Sequence, residues 1–370
     1  MSAAIIYDSA VLKLFFALTL LLTPIPAQAG AIDLHVHLLM DASLPGIFRG
    51  EPGDGPARVA DRTARFKNQV SLKDLEAADV RLIMASLYAP SVVSHLRGGY
   101  TKALHRQITA VEKWVSLHPR VTLVRSPEEA QAVLRSKGWR LGVIIAAEGG
   151  HGIDTPARLD ALWDRGLRML TIVHFDDNAW AGAAAVRYWP KQSCVPGGKG
   201  PGRRNPKGLS KEGEALADHA VAKGLILDLT HSSDQTAADI ARRYPGLPLM
   251  FSHQAARELT PCERTLSPEL LKEVRRSHGM VGITVNANYV GERLADLLAH
   301  ARLFAQGAGA EAVALGTDYN GFAPRIEGAA DSAGYGLVLK ALAEEKIPAD
   351  KSAEAFVGFW RRTRILAKNP

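Results

Sequence analysis

Short apolar runs alternate with amphipathic stretches from residue 31 to the end of the chain. Eight of these runs are almost continuously apolar, which is typical of strands that are buried on both faces. A further short run over 121–125 predicts a minor extra strand. The eight main strands are predicted over 31–37, 80–88, 142–148, 167–174, 225–231, 247–253, 280–286 and 312–318.

The stretches between these strands carry helix start and stop signals. A serine or threonine followed by proline marks three helix starts, because the hydroxyl can cap the first turn and proline fits the first helical position. Glycines stand where helices are expected to end. The starts are Ser126-Pro127, Thr155-Pro156 and Ser267-Pro268, the stops are Gly138, Gly166, Gly224 and Gly279, and closing helices are predicted over 334–345 and 349–366.

Eight strand–helix repeats predict the α/β fold class and, within it, a closed (β/α)8 TIM barrel. An open, doubly wound parallel sheet is the alternative, but no GxGxxG turn follows the first predicted strand. Residues 30–370 are expected to form a single domain. Its segment of about 181–208 is rich in glycine, proline and basic residues, which predicts a loop insertion that is either a lid or a surface insertion.

The first 29 residues have a different character from the rest. Residues 11–22 form an apolar stretch with one lysine, and the small-x-small sequence Ala27-Gln28-Ala29 follows. This order is typical of a signal peptide cleaved after about Ala29, which predicts a secreted or periplasmic protein. An N-terminal helix packed on the domain and an uncleaved anchor are the alternatives, and membrane contact is expected only for the anchor.

Composition narrows the classes of partner. The chain of 370 residues is 47% hydrophobic and 22% charged, which is ordinary for a globular protein. Its net charge of +7 is spread along the sequence, so no nucleic-acid partner is predicted. Cys194 and Cys262 either pair in an oxidising compartment or remain free thiols, and they have no zinc-finger spacing.

Histidines and carboxylates gather at the predicted carboxyl ends of the strands. The first strand ends in His35 and His37, which are two residues apart and therefore point to the same side. Five of the twelve histidines stand on four strand ends, and these ends converge on one mouth in a barrel. The other strand-end residues are Glu148, His174, His231, His253 and Asp318.

Neutral imidazoles combined with carboxylates suit zinc or a similar divalent ion. Four histidines and a carboxylate exceed the ligands of one open site, so a two-metal centre with a bridging ligand fits better. Such a centre activates water for hydrolysis, which makes the barrel one of the metallo-dependent hydrolase type. Asp318 is positioned to take a proton from that water and return it to the leaving group.

The motifs at these strand ends resemble those of the membrane (renal) dipeptidase family of zinc peptidases. The resemblance extends from about residue 31 to about residue 345, and EGGHGID is its most specific motif. The motifs are EGGHGID (148–154), LTIVH (170–174), GLS (208–210), LDLTHSS (227–233), FSH (251–253) and GTDYNG (316–321).

The resemblance implies a barrel with two zinc ions that cleaves dipeptides, tolerates D-residues at the C-terminal position and is often a homodimer. Residue by residue it implies that Glu148 bridges the two metals, that His35 and His37 complete the first site, and that His231 and His253 complete the second. It further implies that His174 contacts the substrate and the tetrahedral intermediate, that Arg264 holds the substrate carboxylate, and that Asp318 transfers the proton.

Two departures from the family pattern keep alternatives open. The family usually has His-x-Asp on the first strand, whereas position 37 is histidine here, so a negative ligand is replaced by a neutral one. The family's C-terminal glycine-asparagine motif is absent from 355–366. The sequence IDLHVHL also resembles the start of TatD-like nucleases and PHP-type phosphoesterases, and a non-catalytic peptide-binding barrel is a further alternative.

Overall fold

Eight parallel strands close into a barrel in this computed structural model, which describes residues 30–39, 68–89, 98–185, 194 and 204–368. A ninth strand, β3, lies outside the barrel. The strands are β1 Ala31–Val36, β2 Val80–Tyr88, β3 Val121–Leu123, β4 Leu141–Glu148, β5 Leu167–Thr171, β6 Ile226–Asp228, β7 Met250–Gln254, β8 Met280–Ile283 and β9 Val313–Leu315.

Pairing between β2 and β4 closes the barrel. The sheet order is β2-β1-β9-β8-β7-β6-β5-β4-β3, and β2 also pairs with β4 along most of its length, from Leu82 opposite Gly142 to Tyr88 opposite Glu148. Strand β3 pairs only with the start of β4, below the residues that pair with β5. The predicted barrel and the minor extra strand are therefore confirmed, and the open sheet is excluded.

The helices lie around the barrel and begin at the predicted caps. Ser126, Thr155 and Ser267 each accept a hydrogen bond from the backbone N–H three residues later, and proline occupies the first turn. The helices are α1 Leu72–Ala77, α2 Tyr100–Leu117, α3 Pro127–Leu134, α4 Pro156–Asp164, α5 Lys211–Lys223, α6 Asp234–Arg243, α7 Pro268–Arg276, α8 Ala287–Val290, α9 Leu294–Ala308, α10 Tyr335–Glu344 and α11 Ser352–Lys368.

Several strands are shorter than predicted. Strand β5 ends at Thr171, β6 at Asp228 and β9 at Leu315, so His174, His231 and Asp318 lie in loops just past the strand ends. His231 and Asp318 have φ values of 68° and 60°, in the left-handed region. An extended strand cannot include such residues, which explains the early ends of β6 and β9.

Extra residues in β1 and β7 change which side chains face the barrel interior. The three-residue advance along β1 from Asp33 to Val36 lies opposite an advance of only two residues along β2. In β7, the three-residue advance from Phe251 to Gln254 likewise lies opposite two residues of β8. Each excess residue is a β-bulge, which re-aims the side chains that follow it. Leu34 packs in the interior cluster although the next residue, His35, also faces inward.

The interior of the barrel is apolar below the mouth. Side chains from the inner faces of the strands form one cluster with α11, whose Phe356, Phe359 and Trp360 are buried in it. The backbone N–H of Ala353 donates to the carbonyl of Gly30 at the start of β1, so α11 covers the amino-terminal end. Polar chemistry is consequently confined to the carboxyl end.

The proposed signal segment, residues 1–29, lies outside the described residues, as do 186–193 and 195–203 of the predicted insertion. The two flanks of that insertion make backbone contacts, with Ala181 bridging to Leu209 and Ala183 to Ser232. Cys194 forms a disulfide with Cys262, which decides between pairing and free thiols. Within the described ranges, no helix is both long and apolar enough to cross a membrane.

Candidate metal centre

Glu148, the last residue of β4, lies at the centre of the predicted cluster. Its carboxylate is buried, and imidazoles approach it from two sides. Oε2 lies 3.3 Å from Nε2 of His37, and Oε1 lies 3.5 Å from Nε2 of His35. Oε1 also lies 3.2 Å from Nε2 of His231 and 3.6 Å from Nε2 of His253. The four predicted histidine ligands therefore converge on the carboxylate of the fifth predicted ligand, Glu148.

The histidines form two pairs, which we call the first half-site (His35 and His37) and the second half-site (His231 and His253). The two Nε2 atoms are 3.3 Å apart in the first half-site and 3.1 Å apart in the second. Two nitrogens bound tetrahedrally at about 2.0–2.1 Å from one ion would be separated by roughly 3.3–3.4 Å. The spacing within each pair thus fits a shared metal ion.

Burial keeps both imidazoles of the second half-site neutral, and two carboxylates favour a positive charge at the first half-site. Burial lowers the pKa of His35 to about 3 and also lowers the pKa of His231 and His253, so these imidazoles are neutral and have a lone pair to offer. The pKa of His37 is raised to about 10, because hydrogen bonds and charge from Asp318 and Glu148 outweigh its burial. Positive charge beside Nε2 of His37 is therefore stable.

Asp318 and His174 border the cluster on the side of the barrel mouth. Oδ1 of Asp318 lies 3.2 Å from Nε2 of His37, and burial raises the pKa of Asp318 to about 6. Nε2 of His174 lies 3.6 Å from Oε1 of Glu148. Both predicted catalytic residues therefore contact the predicted ligands, and His174 also joins Glu148 and His231 in one group able to hold a metal.

The predicted substrate-binding Arg264 is buried beside the second half-site. Its guanidinium lies 3.1 Å from Nδ1 and 3.3 Å from Nε2 of His231, and Nη1 donates to Oε1 of Gln254 over 3.3 Å. Its Cζ lies 5.3 Å from the ring centre of Tyr289. No carboxylate of the described residues forms an ion pair with it, which is unusual for a buried cation.

A pocket at the mouth is lined by residues that the sequence did not single out. Tyr88, Tyr100, Phe175 and Asp176 line it, together with His151, Glu148 and His174. The rings of Tyr100 and His151 are stacked, with centroids 5.4 Å apart. Of these lining residues, His151 could have been predicted from the sequence, because it belongs to the EGGHGID motif and follows Glu148 by three residues.

One family accounts for this set of residues on this barrel. The sequence profile described as membrane dipeptidase, peptidase family M19, matches residues 22–357. The chain belongs to the membrane dipeptidase family. This match confirms the resemblance found in the sequence, favours the family over the TatD-like and PHP-type alternatives, and implies a metal centre at the cluster around Glu148.

Two curated dipeptidases are moderately similar to this chain. Dipeptidase ataJ of Aspergillus terreus is 28% identical over 231 residues, which cover 58% of this chain and 55% of the relative. Dipeptidase 3 of Rattus norvegicus is 26% identical over 284 residues, which cover 75% of this chain and 54% of the relative. The chain spans about half the length of the curated relatives it matches.

Solved structures share the barrel of this membrane dipeptidase family member. A metallopeptidase from Rhodobacter sphaeroides, liganded with a phosphinate mimic of the dipeptide L-Ala-D-Ala, matches with a TM-score of 0.70 at 20% identity, covering 91% of this chain and 99% of that chain. An amidohydrolase from Pseudomonas aeruginosa matches with a TM-score of 0.65 at 16% identity, covering 90% and 96%. At such identities the likeness shows the fold.

The turn that carries Arg264 is held in place by the two residues that precede it in sequence. Cys262 holds it by the disulfide to Cys194. The Glu263 carboxylate accepts hydrogen bonds from the backbone N–H groups of Ala185 and Asn205, at 2.7 and 2.8 Å. These two residues lie on opposite flanks of the insertion, so Glu263 joins both flanks to the site. Neither contact could be read from the sequence.

Proposed function

We propose that this protein is a zinc-dependent dipeptidase that hydrolyses the peptide bond of dipeptides. The observation that carries the proposal is the Glu148 carboxylate between the two histidine pairs. His35, His37 and Glu148 would hold one zinc ion, while Glu148, His231 and His253 would hold a second. When bound, the two ions would polarise the scissile carbonyl and lower the pKa of the attacking water.

Asp318 is the proton carrier in this proposal. Its carboxylate lies on the mouth side of the first half-site, 3.2 Å from His37, and its side chain is 14% exposed. It therefore borders both the ligands and the space open to substrate. It takes a proton from the attacking water and delivers it to the departing amine.

Arg264 and His174 hold the substrate. The buried guanidinium of Arg264 lacks an ion-pair partner among the described residues, so a substrate carboxylate would complete it with charge-assisted hydrogen bonds. His174, beside Glu148 in the mouth pocket, stabilises the oxyanion that develops on the carbonyl. A carboxylate held at a fixed distance from the metals restricts cleavage to dipeptides.

The stereochemistry of the substrate forms part of the proposal. The related structure from Rhodobacter sphaeroides contains a mimic of L-Ala-D-Ala, a dipeptide with a D-residue at its C-terminal position. The sequence resemblance carries the same expectation. We therefore propose that this chain accepts L,D as well as L,L dipeptides.

We also propose that the chain acts outside the cytoplasm, in the periplasm or secreted. The Cys194–Cys262 disulfide supports this location, since structural disulfides persist in oxidising compartments. Edman sequencing or mass spectrometry of the protein from its native host would test it. A new N-terminus close to Gly30 is expected, and an intact Met1 in a cytoplasmic fraction would contradict the proposal.

The dipeptidase proposal is tested on the chain that begins at Gly30. Zinc per chain is measured by elemental analysis, and a panel of L,L and L,D dipeptides is assayed with and without chelator. Two zinc ions and chelator-sensitive release of free amino acids are expected. Folded protein with two zinc ions that cleaves none of the panel would refute the activity, whereas fewer than two ions would refute the proposed ligand set.

A further inference from the structure

The Ser252 hydroxyl contacts one histidine of each half-site. Its Oγ lies 3.2 Å from Nδ1 of His35 and 2.9 Å from Nδ1 of His253. We propose that Ser252 is a positioning residue that sets the orientation and tautomer of both histidines, and thereby couples the affinities of the two metal ions. The inference rests on the proposed two-zinc site and deepens it.

The first step concerns the single proton of the Ser252 hydroxyl, which points to Asp228. Oδ2 of Asp228 lies 2.6 Å from Ser252 Oγ, and the carboxylate is fully buried. It is surrounded by donors: the hydroxyls of Thr171 and Thr230 at 2.6 and 2.7 Å, and the backbone N–H groups of Thr230 and Ser252 at 3.1 and 2.9 Å. Asp228 is thus the acceptor for Ser252.

The second step concerns the two remaining lone pairs of the oxygen. A hydroxyl has one proton to donate and two lone pairs to accept with. Because the proton is directed to Asp228, Ser252 accepts from the Nδ1–H of His253 and shares the Nδ1–H of His35 with the Ser86 hydroxyl. Both rings then carry their proton on Nδ1, which leaves both Nε2 lone pairs directed at the ions.

The third step concerns the backbone, which holds this oxygen in place. The bulge in β7 lets consecutive residues, Ser252 and His253, both reach the site. Behind Ser252, its carbonyl packs against Gly282 and Gly316, and a side chain at either glycine would collide with that carbonyl. The backbone of Ser252 therefore cannot shift toward one half-site without disturbing the neighbouring strands.

Ser86 provides a matched control within the same site. It is buried like Ser252, and its Oγ lies 3.0 Å from Nδ1 of His35, a ligand of the first half-site. Its contact with His37 is made by the backbone carbonyl, at 3.2 Å, and survives truncation of the side chain. Ser86→Ala therefore removes a hydroxyl from one half-site, whereas Ser252→Ala removes a hydroxyl shared by both.

The test is calorimetric titration of Zn²⁺ into metal-free protein, with a competing chelator to resolve the two binding steps. Loss of such an outer contact typically weakens metal binding about 10- to 100-fold. Ser252→Ala is expected to weaken both steps by that factor, and Ser86→Ala only one. Thermal melting of the metal-free variants checks that they fold.

Asp228→Asn is the second variant, for use if Ser252→Ala does not fold. The asparagine amide would donate to Ser252 and occupy one of its lone pairs, so weaker binding of both ions is again expected. If the wild type binds two zinc ions but folded Ser252→Ala or Asp228→Asn loses affinity for one ion or for neither, the inference is overturned and the proposed function stands. If the wild type itself binds fewer than two zinc ions, the proposed ligand set is refuted, and the inference is refuted with it.

Discussion

Replacing Arg264 with alanine should abolish selectivity for substrates that have a free C-terminal carboxylate. The guanidinium is 3% exposed and has no ion-pair partner among the described residues, and the substrate carboxylate is its proposed counter-ion. The variant keeps the ligand histidines, and therefore the loss should appear in substrate recognition rather than in metal content.

The expected size follows from the burial of the guanidinium. Removing one partner of a buried, hydrogen-bonded charge pair costs about 2–5 kcal/mol. In kcat/KM this corresponds to a decrease of roughly 30- to 5,000-fold. The contact is made equally in the bound substrate and in the transition state, so most of the decrease should appear as a higher KM.

The assay compares a dipeptide with its C-terminal amide on the wild type and on Arg264→Ala. The wild type should prefer the free acid by about the factor given above, whereas the variant should treat the two substrates alike. Arg257→Ala is the control, because Arg257 lies in the same turn but pairs with Asp234 at 2.7 and 2.8 Å. It should lower stability and retain the preference for the free acid.

Two results would refute this reasoning. One is a wild-type enzyme that cleaves the amide as efficiently as the free acid. The other is an Arg264→Ala variant that retains the full preference with unchanged zinc content. Zinc is measured in each sample, because Arg264 contacts His231 and its loss must be separated from loss of the second ion.

Four further outcomes are expected. Glu148→Gln should hold at most one tightly bound zinc by elemental analysis, and two tight ions would contradict the bridging role. Gly321→Ala should lower activity while circular dichroism stays native, since its Cβ would lie 2.7 Å from Cδ2 of His37. Burial lowers the pKa of His300 from 6.5 to about 4, so its contribution to stability should fall as the pH drops below 6.5. By pH 5 this contribution has fallen by about 2 kcal/mol, and the loss of stability on acidification in urea unfolding should be smaller by that amount in His300→Gln. Reduction of the disulfide, which closes a 68-residue separation, should destabilise the fold by about 2–4 kcal/mol, and unchanged thermal melting after complete reduction would contradict its structural role.

The barrel and the central carboxylate could be predicted because each depends on a local pattern. A continuous apolar run that ends in Glu148 predicts a buried strand with a charge at the mouth, and β4 has this form. The fold then brings strand ends together, so His35 and His253 could be assigned to one site although they are 218 residues apart in number. Convergence at the mouth is a property of the fold, not of any single motif.

The bulges and the hydrogen bonds behind the ligands could not be predicted in this way. A period of two along β7 would place Ser252 and His253 on opposite faces, and only the extra residue in that strand brings both to the site. The pairing of Cys194 with Cys262 depends likewise on where a long loop returns, which local sequence does not determine. Such contacts arise from register and chain path.

The left-handed backbone at His231 and Asp318 also bears on how this protein can be changed. A non-glycine residue in that conformation costs about 1–2 kcal/mol relative to glycine. Screens for heat resistance alone would therefore favour glycine at both positions, and would discard a proposed metal ligand and the proposed proton carrier. Selection in the laboratory has to demand turnover and stability together, because at these two positions they oppose each other.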